Sequence, residues 1–259
     1  MSRPAGIGVR AYAGAILLAL HLPVLVLALF SVNASRLSAR WTGFTLDWYR
    51  KLAERPELMA GLRSSLVVGL LSTGFATVLG TLAALAIGRY AFRGRRTVEA
   101  LFYVPLVTPE IVVGIATLLF FGLVGIGLGL GTIVVAHTAF SIPFVASVVG
   151  ARLVGIDKSL EEAALSLGAD EFTTFRRVTL PLLLPGIVAG ALLAFTLSFD
   201  DVLITFFVAG PGTSTLPIIV YGMVRRTIEP TINAISTLIV LVTTVLIVVA
   251  ERATRARDG

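Results

Sequence analysis

Cysteine is absent from this chain, which excludes disulfides, thiolate metal sites and a cysteine nucleophile. Lysine is almost as scarce. Lys51 and Lys158 are the only two, and neither follows a glycine. A phosphate-gripping GxxxxGK loop is therefore missing, so the chain does not hold ATP in that way. Charged residues make up 14%, against roughly 25% in an ordinary soluble domain. What fills the space is apolar: 56% of the residues, with a mean hydropathy of +0.95. That is the composition of a membrane protein. The net charge of +6 is spread over many loops, a pattern of membrane topology rather than a nucleic-acid footprint.

A membrane-crossing helix needs about 20 mostly apolar residues. Six stretches qualify: residues 11–31, 66–87, 101–123, 128–149, 182–208 and 232–250. The first, with Arg3 and Arg10 before it and SVNA after it, imitates a signal peptide. Its apolar run exceeds the roughly 7 to 15 residues of a signal core, so it reads as an uncleaved helix. Of the 21 Lys and Arg residues, 13 fall on the side of the two termini and 8 on the other. This excess places both termini in the cytoplasm. No internal repeat or soluble domain interrupts the chain, which reads as one all-α membrane domain.

Between the first two spans, WTGFTLDWYRKLAERPELM mixes aromatics with charge. It predicts a short amphipathic helix at the outer interface, with Trp41, Trp48 and Tyr49 anchoring it. In the second span Ala76, Gly80, Ala84 and Gly88 recur every four residues. They form a small-residue face suited to close helix packing, although Ala and Gly are abundant enough for such spacing to arise without meaning.

The long polar insert DKSLEEAALSLGADEFTTFRRVTLPLLLP, residues 157–185, separates spans four and five. Ser159 and Glu162 match a capping box, and Gly168 suits a helix end. Leu160, Ala163, Ala164 and Leu167 share one apolar face. Asp170 can cap a second short helix carrying Phe172, with Pro181 and Pro185 ending the unit. Physically this unit either lies on the membrane face or inserts into a partner's groove.

EAALSLGADEFTTFRRVTLP resembles the EAA motif of permease subunits from binding-protein-dependent ABC importers. Glu162, Ala163, Ala164, Gly168, Leu180 and Pro181 match that pattern, and Val178 stands where isoleucine is usual. The resemblance implies a type I importer permease fold with a cytoplasmic coupling helix between spans four and five. Ser159, Glu161, Glu162, Ala163, Ala164, Leu167, Gly168 and Phe172 would form the element that docks on a separate ATPase. It also implies partners: a second, homologous permease chain, two ATPase subunits that use the ATP, and an extracytoplasmic binding protein. No cofactor or metal is expected in this chain itself. GFTLDWYRKL, PLVTPEIVVG and the run from SFDDVLITFF to AISTL are similar to spermidine/putrescine permeases of the PotC type. The implied home is the bacterial inner membrane.

LSFDDVLITFF places Asp200 and Asp201 inside an apolar run. An aspartate facing lipid at mid-membrane costs about 2.5 to 3.5 kcal/mol, so both should face protein or water. On a continuous helix from Pro185, Asp200 lies roughly 22 Å along the axis. Ser198, Asp201 and Thr205 would share one polar stripe lining the path, with Asp200 turned to a neighbouring helix. Glu110, following Pro105 and Pro109, adds a third intramembrane acid, about 14 Å into span three. Three carboxylates suit a cargo with several ammonium groups, and Trp48 offers a cation–π face or an interfacial anchor. His21 and His137 read as hydrogen-bonded packing residues without metal partners. Other cargoes within the importer class (a phosphonate, a sugar, ferric iron) stay open, as does an ion-coupled transporter using Glu110 and Asp201.

Overall fold

The computed structural model describes residues 7–35, 40–226 and 230–255. Their regular structure is helical, apart from one isolated bridge between Asn33 and Phe44. In order come α1 (Ile7–Ser31), α2 (Asp47–Ala53), α3 (Pro56–Arg89), α4 (Arg95–Val107), α5 (Glu110–Val124) and α6 (Leu130–Val154). They are followed by α7 (Ser159–Ser166), α8 (Glu171–Thr174), a π-helical turn (Phe175–Thr179) and α9 (Leu180–Asp200). The chain ends with α10 (Leu203–Val208), α11 (Leu216–Arg226) and α12 (Pro230–Arg255). The residues fall into two compact units, Met1–Met59 with Val220–Gly259, and Ala60–Ile219.

Four helices are long and apolar enough to cross a membrane, namely Tyr12–Ser31, Pro56–Arg89, Leu130–Val154 and Glu171–Asp200. A fifth span exists if α4 and α5, bent by 112°, count as one. The expected straight helix over 101–123 is thus corrected to a broken one. Its cause is local: Thr108 precedes Pro109, whose ring forces the residue before it out of the helical region. Thr108 is extended at φ −80°, ψ 131°, and α5 restarts one residue after the proline. The sixth expected span lies on α12, whose apolar stretch runs over Pro230–Val245.

Two further boundaries differ from expectation. Pro181 and Pro185 do not stop the polar unit, because α8, the π turn and α9 run on as one helix from Glu171 to Asp200. A wide π turn relieves the crowding that a proline imposes on the preceding turn. At the far end, residue 201 is extended (φ −67°, ψ 132°), so the expected span 182–208 breaks before α10.

In the larger unit α6 is flanked by α3 and α9 through small residues. Ala76 and Ala84 are buried, and any side chain at Gly80 would meet Val145 and the Ile142 carbonyl. On α9, Gly190 faces Val145 and Gly186 faces Arg152. The four-residue spacing in the second span is therefore a packing face. Val68, Phe121, Ile133, Phe140, Ile204 and Val208 form a second apolar cluster joining α3, α5, α6 and α10.

In the smaller unit the loop after α1 folds around Asn33. Its amide donates to the Arg40 carbonyl at 2.7 Å and accepts from the Thr42 N–H at 2.9 Å. Trp48 on α2 is buried, donating its indole N–H to the Asn33 carbonyl at 2.7 Å. Lys51 lies 4.4 Å from the centre of its ring. That face is thus occupied from within the chain, while Trp41 is the half-exposed aromatic.

Candidate functional site

The break between α9 and α10 exposes backbone N–H groups at the start of α10, which have no partner within a helix. Asp201 supplies acceptors. One carboxylate oxygen takes the Ile204 N–H at 3.2 Å, and the other takes the Thr205 N–H and hydroxyl, each at 2.7 Å. His137 on α6 lies against the same group, its Nε2 being 3.2 Å from Asp201 Oδ2 and 2.9 Å from Thr205 Oγ1. Because the Thr205 hydroxyl donates to Asp201, Nε2 is the donor toward both oxygens.

The other ring nitrogen, Nδ1, is 2.8 Å from Ser198 Oγ, and Ser198 is 2.9 Å from Ser72 Oγ on α3. All five residues are buried. With a neutral ring, Ser198 donates to Nδ1 and Ser72 donates to Ser198. With a protonated ring both hydroxyls turn over, and Ser72 donates to the Val68 carbonyl 2.7 Å away. Every donor is met in either state, as a buried polar chain requires.

Glu110 and Asp200 differ from Asp201 in being exposed. Glu110 occupies the first turn of α5, where a carboxylate meets the positive end of the helix. One turn later Gly114 lets α10 approach closely, since a side chain there would meet Phe207 and the backbone of Ile204. Residues four apart share a face, so Glu110 sits on the side of α5 turned to the break. The close approach of α5 and α10 thereby sets Glu110 on the side of the break that holds Asp200 and Asp201, 90 and 91 residues later in sequence.

At the other end of α6 and α9 lies the polar insert. Asp157, just ahead of α7, accepts the Ser159 N–H at 2.9 Å, and Ser159 is the first residue of the helix rather than the cap of the expected Ser159–Glu162 box. The Ser159 backbone and hydroxyl hold the Asp157 carboxyl below its usual range. Gly168 closes α7 at φ +90°, a conformation that a side chain resists. Asp170 caps α8 through Thr173, whose hydrogen bonds likewise lower its carboxyl. Leu160, Leu165, Leu167 and Phe172 are exposed, as are Glu162 and Ala163, and Ala164 is half-buried. Glu161 alone turns inward. Its Oε1 receives Arg89 at 3.0 Å and the Thr179 hydroxyl at 2.8 Å.

Residues 76–258 match the model of a family described as the binding-protein-dependent transport system inner membrane component. This chain belongs to that family. The permease is 39% identical to the spermidine/putrescine transport system permease protein PotC of Escherichia coli (strain K12), over 91% of this chain and 89% of the relative. It is also 39% identical to the putrescine transport system permease protein PotI of the same strain, over 85% and 81%. Its fold is that of a solved bacterial alginate ABC transporter in complex with an alginate pentasaccharide-bound periplasmic protein. That match has a TM-score of 0.74 at 17% identity and covers 96% of this chain and 94% of the other. The permease is thus a membrane transport component of an ABC importer.

Of the residues singled out in the sequence, Ser198, Asp201 and Thr205 meet in one buried network, and Glu110 and Asp200 border it. Trp48 belongs to the other compact unit. His137 enters as the hub of the network, a larger part than the packing role read from sequence, and no local signal marks its partners 61 and 68 residues away. His21 bonds the Leu17 carbonyl of its own helix at 2.8 Å rather than a neighbouring helix. The parts of Ser72 and Arg89 were not legible, because their partners Ser198 and Glu161 lie 126 and 72 residues away. Among the described residues no group of three or more His, Asp or Glu is placed to hold a metal ion.

Proposed function

We propose that this permease forms, with a second homologous chain, the membrane path of an ATP-driven importer of polyamines such as spermidine and putrescine. The observation that carries the reading is the 39% identity to PotC and PotI over most of the chain. The chemistry of the two helix breaks supports it. Exposed Asp200 and Glu110 meet the ammonium groups of a passing cargo, while buried Asp201, with Ser198 and Thr205, fixes the shape of the break between them. Separate carboxylates attract a multiply charged cation without holding it at one point. Trp48 supports the packing of its own unit, with its indole face covered by Lys51.

The chain acts as one permease domain of six spans, with both termini in the cytoplasm. Ser159, Glu162, Ala163, Ala164, Leu167, Gly168 and Phe172 present the coupling segment to one of two cytoplasmic ATPase subunits. ATP is hydrolysed there, and a soluble binding protein delivers cargo from outside. Exposed Leu167 and Phe172 fit this role, since their side chains are uncovered within this chain.

The test is uptake of radiolabelled spermidine and putrescine by cells lacking the gene and any redundant polyamine importer. Restoring the wild-type gene recovers uptake. Asp200→Asn and Glu110→Gln each reduce it roughly tenfold, about 1.4 kcal/mol. Equal uptake in all strains refutes the polyamine reading.

A further inference from the structure

The ion pair between Arg89 and Glu161 joins the end of α3 to the coupling segment. Its two side chains are only 13% and 21% exposed. Thr179, bonded to the same carboxylate oxygen, belongs to the π turn that leads into α9. One acid on α7 thus grips the lower ends of two long helices. From Arg89, α3 runs roughly 26 Å by helical rise to Ser72, and from Thr179 the other helix runs roughly 28 Å to Ser198. There the two helices are tied again, by the 2.9 Å bond between Ser72 and Ser198. Between these ends, small residues of both helices press on the same Val145 of α6. The result is a frame with two rails, a lower latch and an upper tie, and the upper tie is part of the His137–Asp201 network.

We infer that Glu161 is the positioning residue through which movement of the coupling segment is applied to α3 and α9 together, and that its pairing with Arg89 and Thr179 persists through the transport cycle. The neighbouring acid, Glu162, is exposed and free to meet a partner; Glu161 is committed within the chain. Loss of Glu161 also strands the Arg89 charge, whose Nε–H is already buried without an acceptor. Without the latch, α7 moves when pulled, and the rails do not follow. The inference rests on the coupling segment reading but not on the identity of the cargo.

The experiment uses the assembled transporter in proteoliposomes, with its partner permease, ATPase subunits and spermidine-loaded binding protein. Retention of the ATPase, basal ATP hydrolysis and spermidine carried per ATP are measured for wild type, Glu161→Ala, Arg89→Gln and the charge-reversed pair Arg89→Glu with Glu161→Arg. Arg89→Gln keeps the ATPase and basal hydrolysis, while spermidine per ATP falls about tenfold in both single variants, the scale of a lost coupling contact. The reversed pair restores most of the loss. An unchanged ratio in the single variants overturns the inference. Loss of the ATPase itself also overturns it, because Glu161 is then a docking contact. Where single variants fail to fold, the reversed pair decides: a folded protein that carries about tenfold less spermidine per ATP than wild type refutes it. A wild-type chain that holds no ATPase overturns this inference and the coupling segment reading together. Failure of spermidine transport alone, with ATP hydrolysis stimulated by another loaded binding protein, overturns only the cargo, and the same ratios are then read with that cargo.

Discussion

Asp201 and Asp200 are adjacent in sequence and opposite in circumstance. Asp201 is enclosed by His137, Thr205 and the first N–H groups of α10, whereas Asp200 is exposed. Removing a partner from a buried charge costs more than the pair contributes, roughly 3 to 5 kcal/mol. His137→Leu is accordingly expected to unfold at a markedly lower temperature in detergent. His137→Gln, whose amide can still donate toward Asp201, loses about 1 to 2 kcal/mol. Asp200→Asn leaves the melting temperature unchanged and affects uptake alone. Thermal unfolding of the three purified variants distinguishes these outcomes. Sequence inspection found both acids but assumed a continuous helix through residue 201, where the backbone is extended. The extended backbone there turns Asp201 into a cap for the helix that follows.

At the scale of elements, the polar insert between α6 and α9 is held in shape by Asp157 and Asp170, which accept N–H groups at the starts of α7 and α8 and titrate low. Both Asp157 and Asp170 are stabilised as carboxylates by the N–H and hydroxyl groups they accept. Their folded values lie below the unfolded ones, so their contribution is present above the ordinary carboxylate range. It is lost only as pH falls through the depressed folded values. Hydrogen exchange at the Ser159 and Thr173 amides, corrected for intrinsic rate, should therefore keep its protection through mildly acidic pH. Asp170→Ala removes the α8 cap at any pH, so the Thr173 amide loses its protection throughout. Close packing of α3 on α6 is less forgiving. Gly80→Val drives a side chain into Val145 and the Ile142 carbonyl, and overpacking of this kind costs about 1 to 3 kcal/mol. A smaller folded fraction on size-exclusion chromatography is the expected readout.

For the whole molecule, the absence of cysteine makes topology directly measurable. Asp47→Cys and Lys158→Cys each introduce the only thiol in the chain. In spheroplasts an impermeant thiol reagent labels the first and spares the second, and lysed vesicles label both. Labelling of the second in intact spheroplasts refutes the arrangement with both termini inside. Apolar runs made the helical class legible in sequence, and the spacing of Glu162, Gly168 and Pro181 made the permease family legible. Bends were harder to see, because Thr108 before Pro109 leaves the hydropathy of its span unchanged. Contacts between distant helices, such as His137 with Ser198 or Arg89 with Glu161, depend on how α3, α6 and α9 stack, and no local pattern reports that.

The π turn at Phe175–Thr179 gives the permease one residue more than an α-helix would need to cover the same rise. Each helical residue turns the chain by about 100°, so that single residue sets the angular phase between α8 and α9. Deleting one residue within 175–179 would let the helix close as ordinary α, without breaking it. Everything before the deletion would then be rotated by about a quarter-turn relative to Ser198 and Asp201. Such a protein would fold and insert, yet aim its cytoplasmic surface in the wrong direction. For this stretch length counts beside composition, and a single-codon deletion is expected to cost transport without costing folding.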